Sequence, residues 1–542
     1  MIERDFFTIF IFPFKYIRGD GKGITPVEVV NGFKQNDSPE KGWKQEEYFI
    51  DRPENYNEYY YFHPFVRNAI FNRRDSTGIE YLTRTDYKCM EVEYFYEDKD
   101  KRIKKGLMVT DIKSIDLHIF DNQIGFLTIT TERSPDDNKT GFYDLIRYND
   151  IARRVYPPFI TKEEDNTLYV KRDAKLLPIR ITLFNGNDEE LNINECFKGV
   201  PLKEGDDREI VYFSEIIKRL LEPMELKNNK KDKDTDKEGD KIYFIPFTDD
   251  RMFVISYYAD KERSSRLTQR CCGMYRYELP GDEASDDWYR FIFLDGNFKN
   301  IQNPDMQREL IKRHTYSRWA DWGTLYGFSR YSLVMLCSTE APAYLKQHMK
   351  SMYYQMALIV LFQRTMLLKF SDDVADIMRD INNLSYPHLR DRINRLHGDF
   401  IKFINKYWFL EVSPQEQGIE MYNQWMELIQ TERLYKEVYQ EIRELSEYLE
   451  NRTEFETNRK LAIITIIGLP LALIGLLLSF WNTYSSHIDR SCSIIGLRSI
   501  EILLPLIPVV FIFGLFIVCG IFKLECLRDW IDRLTTFPEA KG

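Results

Sequence analysis

Leu461-Ala-Ile-Ile-Thr-Ile-Ile-Gly-Leu-Pro-Leu-Ala-Leu-Ile-Gly-Leu-Leu-Leu-Ser-Phe-Trp481 runs for 21 residues without an Asp, Glu, Lys, Arg or His. A second stretch, Ile502-Leu-Leu-Pro-Leu-Ile-Pro-Val-Val-Phe-Ile-Phe-Gly-Leu-Phe-Ile-Val-Cys-Gly-Ile-Phe522, has the same length and the same lack of charge. At about 1.5 Å per residue, a helix of either stretch covers roughly 30 Å, the thickness of a bilayer core. The chain therefore reads as a membrane protein with two spans behind a large polar portion. Two spans alone enclose no pore, so a transport role requires several copies.

Topology follows from the basic flanks. Arg452, Arg459 and Lys460 precede the first span, Lys523, Arg528 and Arg533 follow the second, and the loop between holds only Arg490 and Arg498. Cytoplasmic flanks carry the excess of Lys and Arg, so both termini are expected inside. The opening Met1-Ile-Glu-Arg-Asp-Phe-Phe-Thr-Ile-Phe-Ile-Phe-Pro13 lacks the features of a secretory signal and reads as a strand. The eight cysteines form no Cys-x-x-Cys pair, in keeping with structural thiols. A net charge of −10 argues against a general electrostatic grip on nucleic acid, and no direct nucleic-acid partner is expected.

The polar portion divides by pattern. Residues 1–300 read as an α+β cytosolic domain with prominent strands, and 301–415 as a cytosolic helical region. Asp116-Leu-His-Ile-Phe and Gly125-Phe-Leu-Thr-Ile-Thr-Thr flank Asp121-Asn122-Gln123 and predict a hairpin. Ile242-Tyr-Phe-Ile-Pro and Met252-Phe-Val-Ile-Ser-Tyr-Tyr, around Asp249-Asp250-Arg251, suggest another. Glu215-Ile-Ile-Lys-Arg-Leu-Leu reads as a helix, and Lys227–Lys241 as a charged loop. Phe293-Leu-Asp-Gly-Asn297 resembles a turn from strand to helix. Met356-Ala-Leu-Ile-Val-Leu-Phe is bracketed too closely by Gln355, Gln363 and Arg364 to cross a membrane, so a buried helix is expected.

No Gly or Pro lies between Gly418 and Gly468. Apolar residues recur at Tyr422, Met426, Ile429, Leu434, Val438, Ile442, Leu445 and Leu449, mostly three or four apart. One continuous helix of about 50 residues from Ile419 into the bilayer is predicted, roughly 70–75 Å long. Its 416–460 portion is a stalk that either packs as a coiled coil or transmits motion. Spans over 461–481 and 502–522, an external loop over 482–501 and a tail over 523–542 complete the plan.

A large cytosolic α/β portion, a long helix feeding the first of two C-terminal spans, and both termini inside resemble the CorA-type metal-ion channels. The likeness is architectural and covers residues 340–542 best. It implies a homo-oligomer, a pentamer in that family, with the first span lining the pore. That family carries Gly-Met-Asn at the outer end of the span. Here the end reads Ser479-Phe480-Trp481-Asn482-Thr483, and only Asn482 stands in for part of the motif. The Tyr-rich N-terminal portion departs from housekeeping transporters and is similar to the CorA-like membrane proteins found beside type III CRISPR systems. That resemblance implies a bacterial inner-membrane location. It also implies a nucleotide second messenger, S-adenosylmethionine–AMP, as ligand, membrane lipid as surroundings, and membrane disruption as output. The alternatives within reach of the sequence are a divalent-cation (Mg2+) transporter regulated by its own ion, and a membrane-anchored receptor or scaffold without a pore.

Lys312–Tyr331 is the densest polar–aromatic stretch outside the spans. Arg313, Arg318 and Arg330 suit a phosphate, Trp319, Trp322 and Tyr326 offer faces to an adenine, and Thr324 supplies a hydroxyl. The plain alternative is an amphipathic helix pair with buried aromatics and solvated arginines. In the first span, Thr465, Gly468, Gly475 and Ser479, followed by Asn482 and Thr483, gather toward one face and are the candidate pore lining. Close packing of helices through small residues would use the same pattern. Pro470 frees one backbone carbonyl and favours a kink. Walker A, Gly-x-Ser-x-Gly and His-Glu-x-x-His signatures are absent, as is zinc-ligand spacing, so no catalytic residues are nominated and a binding protein is expected rather than an enzyme.

Overall fold

The computed structural model describes residues 4–20, 23–36, 42–71, 73, 78–97, 100–135, 137, 140–157, 161–162, 168–169, 177–186, 189–197, 213–227, 241–247, 251–381 and 383–488. The predicted loop at Lys227–Lys241 falls almost wholly outside these residues, as do the second span at 502–522 and most of the external loop. The chain separates into two units, Met1–Leu445 and Ser446–Gly542.

The first unit is built on a mixed sheet. The strand order along its main path is Ile193–Glu195, Pro178–Asn185, Tyr87–Glu97, Ile103–Phe120, Ile124–Arg133, Arg4–Arg18, Phe253–Asp260, Ser332–Cys337, Leu325–Phe328 and Thr315–Tyr316. From Phe6 to Phe14 the opening strand is apolar at every position but Thr8, as a strand covered on both faces requires. Phe6, Phe10, Phe12, Phe14 and Tyr16 enter the main core with Leu145, Tyr148, Trp288 and Phe291. Those last four come from the helices Phe142–Ala152 and Glu283–Phe293.

The hairpin over 103–133 forms as read, with Ile119 opposite Gly125 and the turn at Asp121–Gln123. The second expected hairpin does not form. Ile242–Pro246 pairs with Phe14–Arg18, whereas Phe253–Asp260 pairs with Arg4–Ile11. Both strands are drawn to successive halves of one apolar strand. Pro13, which has no N–H to donate, falls at the junction between them.

The boundary near 300 is also displaced. The helix Pro304–His314 is followed by three more strands of the same sheet, and Ser332–Cys337 lies parallel to Phe253–Asp260. Phe293–Asn297 is a helix exit rather than a strand end. Leu294 takes the left-handed conformation at φ 55°, and the Arg290 guanidinium donates to the Asp295 and Gly296 carbonyls at 3.0 and 2.7 Å.

Tyr344–Lys350, Met352–Asp380, Tyr386–Tyr407 and Glu416–Leu428 are helices, and the Met356–Phe362 run is buried as expected. The predicted continuous helix is interrupted once, at Ile429–Gln430. Gln430 adopts φ 57°, and the Ile429 carbonyl accepts from Arg364 Nη1 at 3.0 Å. Two dockings account for the break. Trp425 lies against Phe253 and Phe328, with ring centroids 5.7 and 5.4 Å away, while Tyr435 stacks on Trp408 at 4.5 Å.

The last helix then runs 58 residues, Thr431–Ile488. Val438, Ile442, Leu445 and Leu449 are buried, on the face the periodicity assigned. Among the described residues this is the one helix long and apolar enough to cross a membrane. Its apolar window has mean hydropathy 2.8 and none of it is buried within the structure.

Candidate functional site

A cleft of about 940 Å³ opens on the sheet face opposite the main core. Its floor follows from strand alternation. Along Ser114-Ile-Asp-Leu-His-Ile119, the residues Ile115, Leu117 and Ile119 enter the core, so Ser114, Asp116 and His118 face the other way. Residues 45–58 form one wall, and Lys350, Tyr354 and Gln355 another.

The wall is held by its own polar groups. Asn55 Nδ2 donates to the Phe49 carbonyl at 2.9 Å and to Asp51 Oδ1 at 2.8 Å. Tyr48 Oη lies 2.9 Å from Glu58 Oε2, and Gln355 Nε2 donates to Glu58 Oε1 at 3.1 Å. Residues 53–61 form a helix with Pro53 in its first turn, where the missing N–H costs nothing.

Asp116 is the centre of the floor. Its Oδ1 accepts from Tyr81 Oη and Thr83 Oγ1, both at 2.7 Å, and its Oδ2 from Ser114 Oγ at 2.7 Å. Burial still pushes this carboxyl above its ordinary range, against the pull of those hydroxyls. Burial also raises Glu58, with Tyr48 and Gln355 opposing. His118 Nε2 and Tyr354 Oη are 2.9 Å apart. Burial takes the imidazole down to about 3, so at neutral pH it is uncharged and a weak base. Lys350 pairs with Glu132, stands 5.1 Å from the centre of the Phe7 ring, and is lowered chiefly by burial.

Six carboxyl residues line the cleft (Glu46, Glu47, Asp51, Glu58, Asp116 and Glu132) against three basic ones (Arg52, Lys113 and Lys350). Tyr48, Phe49, Phe71, Tyr81 and Tyr354 add ring surface. An opening of this size and character suits a ligand with flat rings and positive charge.

The residues nominated from Lys312–Tyr331 are distributed otherwise, and none lines this cleft. Arg313 is exposed at the end of the helix Pro304–His314. Arg318 pairs with Glu420 at 2.6 Å. Trp319 meets Tyr316 and Tyr326 edge-on. Trp322 is 80% exposed, Thr324 is buried, Tyr326 is fully buried, and Arg330 reaches Gln430 Oε1 at 3.5 Å. The segment forms a helix end and a strand pair in place of a helix pair.

The cleft residues had a signal of their own. Ser114, Asp116 and His118 put a polar row on one face of a strand segment whose other face carries Ile115, Leu117 and Ile119, in the middle of a hydrophobic sheet.

The pore candidates Thr465, Gly468, Gly475, Ser479, Asn482 and Thr483 all belong to the Thr431–Ile488 helix. At about 100° per residue they fall within an arc of roughly 100°. Thr465 returns its hydroxyl to the Leu461 carbonyl at 2.8 Å, and Pro470 lies inside the helix.

Among the described residues, no group of three or more His, Cys, Asp or Glu is placed to hold a metal ion. No family model, no curated protein and no solved structure matches this chain.

Proposed function

We propose that the chain is the subunit of a CorA-like, homo-oligomeric membrane channel. Its cytosolic unit senses S-adenosylmethionine–AMP, and it acts by membrane permeabilisation in type III CRISPR antiviral defence. The observation that carries the reading is the 940 Å³ cleft, rich in carboxylates and tyrosines, beside the Met352–Asp380 helix. The messenger offers adenine rings to the tyrosines and a sulfonium to the carboxylates. Its phosphate would meet Arg52, Lys113 or Lys350 at the rim.

The Met352–Asp380 helix supplies the coupling. Tyr354 and Gln355 near its start line the cleft. Farther along, Arg364 binds the Ile429 carbonyl, and the Ser371 hydroxyl meets the Glu441 carboxylate. A ligand that binds better when this helix is displaced shifts the first turns of the Thr431–Ile488 helix with it. The shift is limited by the difference in affinity between the two states. In the oligomer, the stripe from Thr465 to Thr483 would line a narrow, mostly apolar pore that gates by dewetting.

The test is release of a trapped ion or dye from liposomes holding the purified protein. Release on addition of the messenger, with Asp116→Asn requiring about tenfold more of it, supports the proposal. Tight messenger binding without release removes the pore and leaves a membrane-anchored receptor. Flux governed by magnesium alone leaves the transporter.

A further inference from the structure

Arg270–Cys271 and Met274–Tyr275 pair antiparallel as a short hairpin outside the main sheet, with Cys271 opposite Met274. Cys272 and Gly273 form its two-residue turn, at φ 53° and 84°. Positive φ at both central residues is what a type I′ turn requires, and Gly, Asn and Asp usually supply it. A cysteine in that place is uncommon, and a side chain held at positive φ points toward a role for it. The hairpin is fastened from outside. The Arg270 guanidinium donates to both Asp321 oxygens, at 3.1 and 2.9 Å, and the Tyr275 hydroxyl donates to Asp321 Oδ1 at 2.8 Å. Beyond the strands, the Arg276 N–H donates to the Gln269 carbonyl at 3.0 Å.

The turn decides where the sulfurs go. In a regular strand, adjacent side chains leave on opposite faces. Here the left-handed step at Cys272 brings the Cys271 and Cys272 sulfurs to 3.8 Å from each other. Both residues are exposed, so neither thiol serves the core. Cys337, by contrast, is buried and donates to the Tyr257 hydroxyl at 3.4 Å. Hydrogen bonding to Cys272, and the charge that Cys272 can carry, raise the Cys271 thiol above its ordinary value. Cys271 thus keeps its proton, and Cys272 is left as the sulfur that attacks.

We propose that Cys271 and Cys272 are a reversible oxidation site, a vicinal dithiol that a peroxide converts to a disulfide. The Cys272 thiolate attacks one peroxide oxygen and the O–O bond breaks. The other oxygen leaves as hydroxide and takes up a proton to become water. Cys271 then attacks the sulfenic acid on Cys272: the S–O bond breaks, the S–S bond forms, and a second water leaves with the Cys271 proton. Two thiols are oxidised and one peroxide is reduced to two waters. The Arg270–Asp321 pair ties the hairpin to the Ala320–Trp322 turn, so closure of the ring has a neighbour to act on. The site stands apart from the messenger and from channel activity.

The experiment treats detergent-purified full-length protein with hydrogen peroxide, blocks the remaining thiols with N-ethylmaleimide and digests with trypsin without reductant. Cleavage after Arg270 and Arg276 releases Cys271-Cys-Gly-Met-Tyr-Arg276, which holds both thiols and no other. Mass spectrometry should find this peptide two hydrogens lighter and free of N-ethylmaleimide, and dithiothreitol should restore it. The ring should form about tenfold faster in folded than in urea-unfolded protein, because the hairpin holds the sulfurs together. Cys271→Ser should stop the reaction at a Cys272 sulfenic acid that dimedone traps, and Cys272→Ser should leave Cys271 slow to oxidise. Equal rates in folded and unfolded protein overturn the proposal, since adjacency in sequence would then account for the ring. So does a peptide that still carries two N-ethylmaleimide groups after other thiols of the protein have been oxidised, or one joined to a different cysteine.

Discussion

Lys312–Tyr331 and the cleft around Asp116 are built from the same kinds of residue and reach opposite ends. In the first, Arg318 is taken by Glu420, Trp319 and Tyr326 pack edge-on, and Thr324 is buried. In the second, six carboxyl residues and five aromatic ones surround open volume. The difference is where the backbone puts them. A strand pair at the sheet edge folds its aromatics onto its neighbours. A central strand with a polar row on one face puts Ser114, Asp116 and His118 at the floor of a cleft. Aromatic–polar composition is therefore weak evidence of a site until its groups are shown to border open volume.

The comparison breaks most visibly in stability. Tyr326→Ala empties a fully buried position and should lower unfolding free energy by about 3–5 kcal/mol. Messenger affinity per folded molecule should stay unchanged. Denaturant unfolding together with binding at a permissive temperature checks both. A loss of affinity without loss of stability would return the ligand to the Lys312–Tyr331 segment.

The next effect is on pH dependence. The folded imidazole of His118 sits near 3, well below the ordinary 6.5 of the unfolded chain. Below pH 6.5 the unfolded state takes up a proton that the folded state refuses. Stability present above pH 6.5 is therefore lost as pH falls toward 3, at up to about 1.4 kcal/mol per pH unit. Asp116 and Glu58, both raised by burial, act in the opposite sense. The effect is accordingly read as the difference between wild type and His118→Gln. The variant should lose stability less steeply between pH 6.5 and 5 in chemical unfolding. Parallel curves would show that the imidazole titrates as if exposed.

Much of the fold was legible because it rests on local periodicity. The opening strand, the hairpin at Asp121–Gln123, the buried Met356–Phe362 helix and the long apolar helix all follow from spacing. The rest depended on partners distant in sequence. Nothing near Ile242 announces that it pairs with Arg18, and nothing in Ser332–Cys337 announces its place beside Phe253–Asp260. The break at Gln430 was invisible for the same reason, since it comes from two docking surfaces and no Gly or Pro marks it. The cleft needed the residues 45–58 wall to meet strand residues between Ile79 and Glu132 and a helix near 350. Its floor alone carried a sequence signal, in the alternation of Ser114, Asp116 and His118 with Ile115, Leu117 and Ile119.

The smallest expected effect belongs to the surface. Arg318→Ala breaks an exposed ion pair, and pairs of this kind contribute little in water. Its unfolding midpoint should match wild type, and Trp322→Ala should behave alike because that ring is already in solvent. A marked shift for either would show that the segment is covered in the assembled oligomer.

The most direct measurement is binding of radiolabelled S-adenosylmethionine–AMP to the detergent-purified protein, comparing wild type with Asp116→Asn and Arg318→Ala. Tight binding that Asp116→Asn weakens about tenfold and Arg318→Ala leaves intact is the expected result. Binding weakened by Arg318→Ala and untouched by Asp116→Asn, or no binding by well-folded wild type, would contradict the assignment of the cleft.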